Sequence, residues 1–353
     1  MNISVGIVGF PNAGKSTLFN ALLKRQAAGT APYPFCTIEP NVGIVPVPDE
    51  RLAVLAKIVS TDRIVPVTVE FVDIAGLVKG AHKGEGLGNQ FLGHIKEVNI
   101  ILFLLRGFEL VDVDKAGSAD PETDLEALKT ELLLKDLDTL EKQKEPKGAA
   151  SKEEKLRWQA VLKAKAFAAE GKYLFDIMAE KDREFVCDLC LLTLKDYMVG
   201  INVLEKDLAD AENTVKKYSG LDPFVISAKT EEDLASMSEN EQKEYLAMLE
   251  VGESSLQKLI KKAYKKLNLI SFLTAGTIEA RAWTIKDGTL APQAAGAIHT
   301  DFVKKFIKAK VASYKDFVSC RGWKNCASGG KIRMEGKDYV MQDGDIVEFI
   351  VGK

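Results

Sequence analysis

Cysteine and histidine are scarce in this chain of 353 residues, at five and three respectively. The cysteines, at 36, 187, 190, 320 and 326, are odd in number and irregularly spaced, which excludes both an even disulfide framework and paired zinc knuckles. Cys187-Asp188-Leu189-Cys190 is a CxxC, but without a second ligand pair nearby it reads as two free thiols rather than metal or redox chemistry. His82, His94 and His299 are too scattered to suggest a metal site. Long apolar runs are missing too: none approaches the roughly 18 residues of a membrane-crossing helix. Met1-Asn2-Ile3-Ser4 lacks the basic start and apolar stretch of a signal peptide, so a cytoplasmic location without membrane contact is expected. With a formal net charge of −3, no global field draws the chain to nucleic acid, and any such contact has to come from a local patch. The 46% of hydrophobic residues is enough to fill the cores of two or three domains.

What is present is a phosphate-binding loop in its required context. The apolar run Ile3 to Val8 is followed by Gly9-Phe10-Pro11-Asn12-Ala13-Gly14-Lys15-Ser16 and then by the helical pattern Thr17-Leu18-Phe19-Asn20-Ala21-Leu22-Leu23, which reads as strand, GxxxxGKS loop, helix. Backbone N–H groups over Asn12, Ala13, Gly14, Lys15, Ser16 and Thr17 are expected to converge on phosphate, with Lys15 reaching the β- and γ-phosphates and Ser16 ligating Mg²⁺. Glu70 to Gly76 ends a second apolar strand in DxxG, where Asp73 holds Mg²⁺ through water and the Gly76 N–H meets the γ-phosphate. Thr37, between the two motifs, stands where a switch threonine completes the magnesium shell. Asn202-Val203-Leu204-Glu205 follows the apolar segment Leu191 to Ile201, and Ser227-Ala228-Lys229 follows Phe224-Val225-Ile226. Four phosphate, metal and base elements in the order used by GTPases are far more specific than any one of them.

These residues resemble the YchF-type, Obg-like ATPases of the translation-factor class of P-loop GTPases. The marks are GFPNAGKSTLFNAL, the block FVDIAGLVKGAHKGEGLGNQFL at 71–92, NVLE in place of NKxD, and AGAIHTDF at 295–302. The resemblance covers nearly the whole chain. It implies an α/β protein: a P-loop G domain with a helical coiled-coil insertion and a C-terminal β-grasp module of the TGS type. The expected division is 1–120 and 191–275 for the two parts of the G domain, 121–190 for the insertion and 276–353 for the TGS domain. The leucines from Leu125 to Leu140 recur at helical spacing and a second helix is expected from about Lys152 to Glu180, making a hairpin that is either a plain insertion or a docking arm. Strands are expected at 277–285, 306–311 and 339–351, a helix near 300–305 and a turn at Asp343-Gly344. Lys304, Lys305, Lys308, Lys310, Lys315, Arg321, Lys324, Lys331 and Arg333, with Phe317 and Trp323 interleaved, make either a solvated face or a contact to ribosome or ribosomal RNA, and the resemblance favours the contact.

The base site bears on which nucleotide is used. In NKxD the aspartate accepts from guanine N1–H and N2–H₂ and the lysine stem packs along the ring; here Val203 and Glu205 take those positions, removing the standard guanine reader. The resemblance implies ATP as substrate, with main-chain groups around Asn202 and Val203 helping to hold the base, while Glu205 still leaves GTP open. For hydrolysis, Leu77 stands where related enzymes carry a water-orienting glutamine, and a leucine cannot polarise water. The histidine that the family carries in a later loop is missing; Asp114 is nearest its place and reads as a water-positioning group or a surface carboxylate, and His82 is as easily a surface residue. Asn12 is either a ligand for a K⁺ ion between the phosphates or a residue chosen for the loop's backbone geometry. The expected protein is a monomeric Mg²⁺-dependent ATPase that contacts the ribosome through its TGS domain and helical arm.

Overall fold

The computed structural model describes residues 3–28, 41–73, 98–109, 120–148 and 151–352. Thr37, Gly76, Leu77, His82 and Asp114 lie outside the described residues. Two compact units emerge: one comprises Ser4–Val45 and Glu70–Leu259, the other Met1–Ile3, Pro46–Val69 and Ile260–Lys353.

In the first unit a six-stranded sheet has the order β2-β4-β1-β5-β6-β7, with β1 Ile3–Val8, β2 Val42–Pro46, β4 Thr68–Asp73, β5 Ile100–Arg106, β6 Asp196–Asn202 and β7 Phe224–Ile226. Strands β1 and β5 are buried along their whole length, as continuous apolar runs are when a sheet is covered on both faces. The pairs β1–β5, β5–β6 and β6–β7 are all parallel, with Ile7 opposite Leu102, Arg106 opposite Asn202, and Asn202 opposite Ile226. Parallel strands send their C-terminal ends to one edge, so the loop after β1, Asn202 at the end of β6 and Ser227 after β7 share that edge. There the helix α1, Lys15–Ala28, begins.

The insertion starts with a helix at Pro121–Glu141, where the Asp120 carboxylate accepts from the Thr123 N–H at 3.0 Å and proline occupies the first turn. Leu125, Leu128 and Leu132 pack into the core with Phe103 of β5, while Leu133 and Leu140 pack with Ala160, Val161 and Ala164 of the helix Lys152–Ala169. That second helix opens with a capping box between Ser151 and Glu154, but it stops at Ala169, short of the expected Glu180. Gly171 turns the chain at φ +76°, and the Lys172 N–H donates to Phe167 O at 3.0 Å, the hydrogen-bond pattern of a left-handed helix stop. The apolar segment that starts at Leu191 becomes strand only at Asp196, because Leu192–Leu194 forms a 3₁₀ turn. Buried Asp136 fixes that turn by accepting from the N–H groups of Leu192 at 2.7 Å and Thr193 at 2.8 Å.

The second unit holds a mixed sheet, β11-β10-β12-β8-β9-β3, from β3 Ile64–Val65, β8 Leu269–Ala275, β9 Ala280–Lys286, β10 Phe306–Ser313, β11 Arg333–Glu335 and β12 Asp345–Val351. The β8–β9 and β10–β12 pairs are antiparallel, whereas β12 runs parallel to β8 with Ile346 opposite Leu273. Successive strand residues enter different cores, as the period of two requires: Leu273, Ala312 and Ile346 share one with Phe317, and Phe272, Val311 and Val347 share another with Ala291 and Ala295 of the helix Ala291–Ile298. The helix α2, Glu50–Val59, contributes Leu52 and Leu55 to the former, and β3 adds an edge strand parallel to β9. Arg51 ties α2 in place through two bonds to Asp49 and one of 2.8 Å to Asp343, whose other carboxylate oxygen accepts from the Ser271 N–H at 2.9 Å. The expected helix and turn occur at Asp301–Lys305 and at Gly344, where φ is +79°.

Two expectations for this unit are corrected. The hairpin strand Leu269–Ala275 precedes the strand anticipated at 277–285, and its turn closes by a hydrogen bond from the Gly276 N–H to Glu279 O at 3.1 Å. Phe317 is fully buried against Trp323, with ring centroids 5.1 Å apart, so it is a core residue and offers no stacking face to RNA.

Candidate functional site

At the C-terminal edge of the parallel sheet, the loop after β1 enters α1 with Asn12 and Gly14 both at positive φ, +65° and +96°. Asparagine tolerates the left-handed region better than most residues, which suits Asn12 to this turn; its side chain is exposed and makes no hydrogen bond among the described residues. Gly14 has a second constraint. A Cβ there would collide with the Asn202 side-chain amide.

Asn202 joins the separate loops. Its Nδ2 donates to Ala13 O at 2.9 Å, and its Oδ1 accepts from the Ala228 N–H at 2.9 Å, both in buried surroundings. Ser227 caps the helix Ala228–Leu234 by accepting from the Thr230 N–H at 3.4 Å. A cavity of about 890 Å³ opens here, lined among others by Asn12, Gly14, Thr17, Asn202, Glu205 and Tyr245. The structure therefore brings together the loop residues 12–17, Asn202 to Glu205 and Ser227-Ala228, which lie far apart in sequence.

Lys15 folds its ammonium onto the loop, donating to Gly9 O at 2.7 Å and Phe10 O at 2.9 Å. One of its three donors is left without a partner among the described residues. Burial pushes the Lys15 ammonium below the usual lysine range, opposed by the negative charge of Asp73. Asp73 is displaced in the complementary direction: burial raises its carboxyl and the Lys15 charge pulls it back. Asp73 Oδ1 is buried with no hydrogen-bond partner among the described residues. A hard divalent cation with oxygen ligands fits that orphaned oxygen, and the exposed Ser16 hydroxyl at the start of α1 offers a second oxygen of the kind such a cation takes. Magnesium held with substrate phosphates needs only one or two protein ligands, so the absence of any cluster of three His, Cys, Asp or Glu among the described residues does not conflict with it.

At the base end, Val203 is buried with Ile201, Leu208 and Val225, and offers no charged stem to lie along a ring. Glu205 is held by two residues that the sequence motifs do not single out. Tyr245 donates its hydroxyl to Glu205 Oε2 at 2.6 Å, and the Thr230 hydroxyl lies 3.3 Å from the same oxygen. That bond to a carboxylate pushes the Tyr245 phenol up to about 12, so it stays protonated and remains the donor. Elsewhere, Cys187 and Cys190 are exposed free thiols.

The comparisons with known proteins agree with this geometry. A family profile described as "50S ribosome-binding GTPase" matches residues 4–144, and the YchF GTPase C-terminal profile, described as "Protein of unknown function (DUF933)", matches 269–351. The "Ribosome-binding ATPase YchF" of Escherichia coli O157:H7 is 44% identical, and the protein of that name from Bacillus subtilis (strain 168) 42%, each over 99% of both chains. A solved structure, that of the Schizosaccharomyces pombe YchF GTPase, superposes with a TM-score of 0.85 at 36% identity, covering 99% of this chain and 98% of that one. These names differ on the nucleotide, ATP or GTP, yet they agree on the lineage. With a phosphate loop, an Asn202 bridge and full-length relatives of this identity, the chain belongs to the YchF family.

Proposed function

We propose that this protein is a monomeric, cytoplasmic Mg²⁺-dependent ATPase whose nucleotide state governs its binding to the ribosome. The observation that carries the nucleotide reading is the Asn202 bridge, which fixes the phosphate loop through Ala13 and the base-side loop through Ala228 around one cavity. ATP is favoured over GTP because Val203 is buried and Glu205 is already engaged by Tyr245. Lys15 and the loop amides would take the phosphate oxygens, with Ser16 and Thr37 as the magnesium ligands, Asp73 supporting the ion through water, and the Gly76 N–H serving the γ-phosphate. When bound, Mg²⁺ would neutralise negative charge that develops on the transferred phosphoryl group. Leu77 supplies no polar group to orient water, which accords with a slow intrinsic rate. Phosphate release from ATP is expected to stop when magnesium is chelated with EDTA and to return when it is restored; release that persists in EDTA would contradict the metal assignment.

Ribosome binding is supported by the names of the relatives and by charge on the second unit. Lys310 is paired with Glu348, Lys331 with Asp316 and Arg333 with Asp345, but Lys304, Lys305 and Lys308 are exposed and form no ion pair among the described residues. Replacing these three by glutamate is expected to weaken co-sedimentation with ribosomes. The slope of log affinity against log salt should fall by about 2 if the three lysines meet phosphates. A variant that sediments like the wild type across the salt series makes this cluster a solvated face.

A further inference from the structure

Glu205 stands where a guanine-reading aspartate stands in GTPases, and its carboxylate is not free. Reading guanine takes both oxygens of a carboxylate, one for N1–H and one for N2–H₂, whereas each oxygen has two lone-pair positions. Tyr245 donates to Oε2 at 2.6 Å, and Thr230 Oγ1, 3.3 Å from that oxygen, can fill its second position. Thr230 is itself held 3.0 Å from the Ser227 hydroxyl, so the restraint is continuous with the base-side loop. The remaining oxygen, Oε1, has no hydrogen-bond partner among the described residues and can accept one N–H. Adenine offers such a donor in its 6-amino group; guanine offers two adjacent donors and leaves one unmet.

We propose that Tyr245 is a specificity-determining residue, which occupies Oε2 of Glu205 and so leaves the carboxylate one oxygen short of a guanine edge. This rests on the ATP-preferring reading of the same cavity and identifies what enforces it. Tyr245 touches no substrate atom in this role; it is a positioning residue acting through Glu205. The restraint also explains how a carboxylate persists at the base site without conferring GTP selectivity. Substituting lysine at Val203 is a poorer probe, since the side chain there is buried among Ile201, Leu208 and Val225.

The test is calorimetric titration with Mg²⁺-ATP and Mg²⁺-GTP of the wild type, Tyr245→Phe and Tyr245→Phe/Glu205→Gln. Phenylalanine keeps the half-buried ring and removes only the donor, and a thermal melt checks that each variant is folded. The ratio of GTP to ATP affinity is expected to rise about tenfold in Tyr245→Phe and to return toward the wild-type value in the double variant, whose amide cannot accept from both guanine donors. Glu205→Asp, which shortens the side chain and draws the carboxylate away from Tyr245, should move the ratio in the same direction as Tyr245→Phe. A ratio in Tyr245→Phe within about twofold of wild type, or a rise that survives in the double variant, overturns the proposal while leaving an ATP-preferring wild type intact. A wild type that prefers GTP overturns both readings.

Discussion

Replacing Lys15 by alanine is expected to lower ATP turnover by about 100-fold or more, because the transition-state charge on the transferred phosphoryl group loses its ammonium donor in a partly buried site. Affinity for the triphosphate should fall as well. The fold should survive, since the side chain's bonds are to loop carbonyls, Gly9 O and Phe10 O, rather than to the sheet core. Single-turnover phosphate release, with a thermal melt run in parallel, checks this. A folded Lys15→Ala protein that hydrolyses ATP at the wild-type rate would place the chemistry elsewhere.

The Asn202→Ala substitution should do comparable damage by a different route. It leaves the Ala13 carbonyl and the Ala228 N–H unpaired in buried surroundings, at about 1–3 kcal/mol for each orphaned group. Because those two groups belong to the phosphate loop and the base-side loop, the loss falls on the geometry of both. Nucleotide affinity is expected to drop by about two orders of magnitude, alongside reduced stability in urea. Asn202→Asp separates the two bonds: it keeps an acceptor for the Ala228 N–H and sets a carboxylate against the Ala13 carbonyl. It should therefore retain the position of Ala228 while loosening the phosphate loop. Unchanged nucleotide affinity in Asn202→Ala would show that the bridge does not organise the cavity.

The site was legible where its chemistry is local. Strand, glycine-bearing loop and helix follow one another from Ile3 to Ala28, and Asn202 ends one apolar strand while Ser227 directly follows another, so local pattern located them before the sheet brought them together. Contacts made across long sequence separations left no such trace. Tyr245 lies 40 residues beyond Glu205, in the polar helix Glu239–Met248, whose sequence shows nothing of the carboxylate it binds. Residues 46–69 look like part of the region between two G-domain motifs, but α2 and β3 pack in the unit that contains Ile260–Lys353. Phe317 among basic residues resembled a nucleic-acid face until burial showed it filling a core. Helix and strand limits were missed where one tertiary bond or one glycine decided them, at Asp136 against Leu192 and at Gly171.

The most direct test is competitive calorimetric titration of the wild-type protein with Mg²⁺-ATP and Mg²⁺-GTP. A buried Val203 and an engaged Glu205 predict that ATP binds at least about tenfold tighter, the size of one mismatched polar edge in a closed pocket. Tighter binding of GTP would contradict the account and make Glu205 a guanine reader despite its bond to Tyr245.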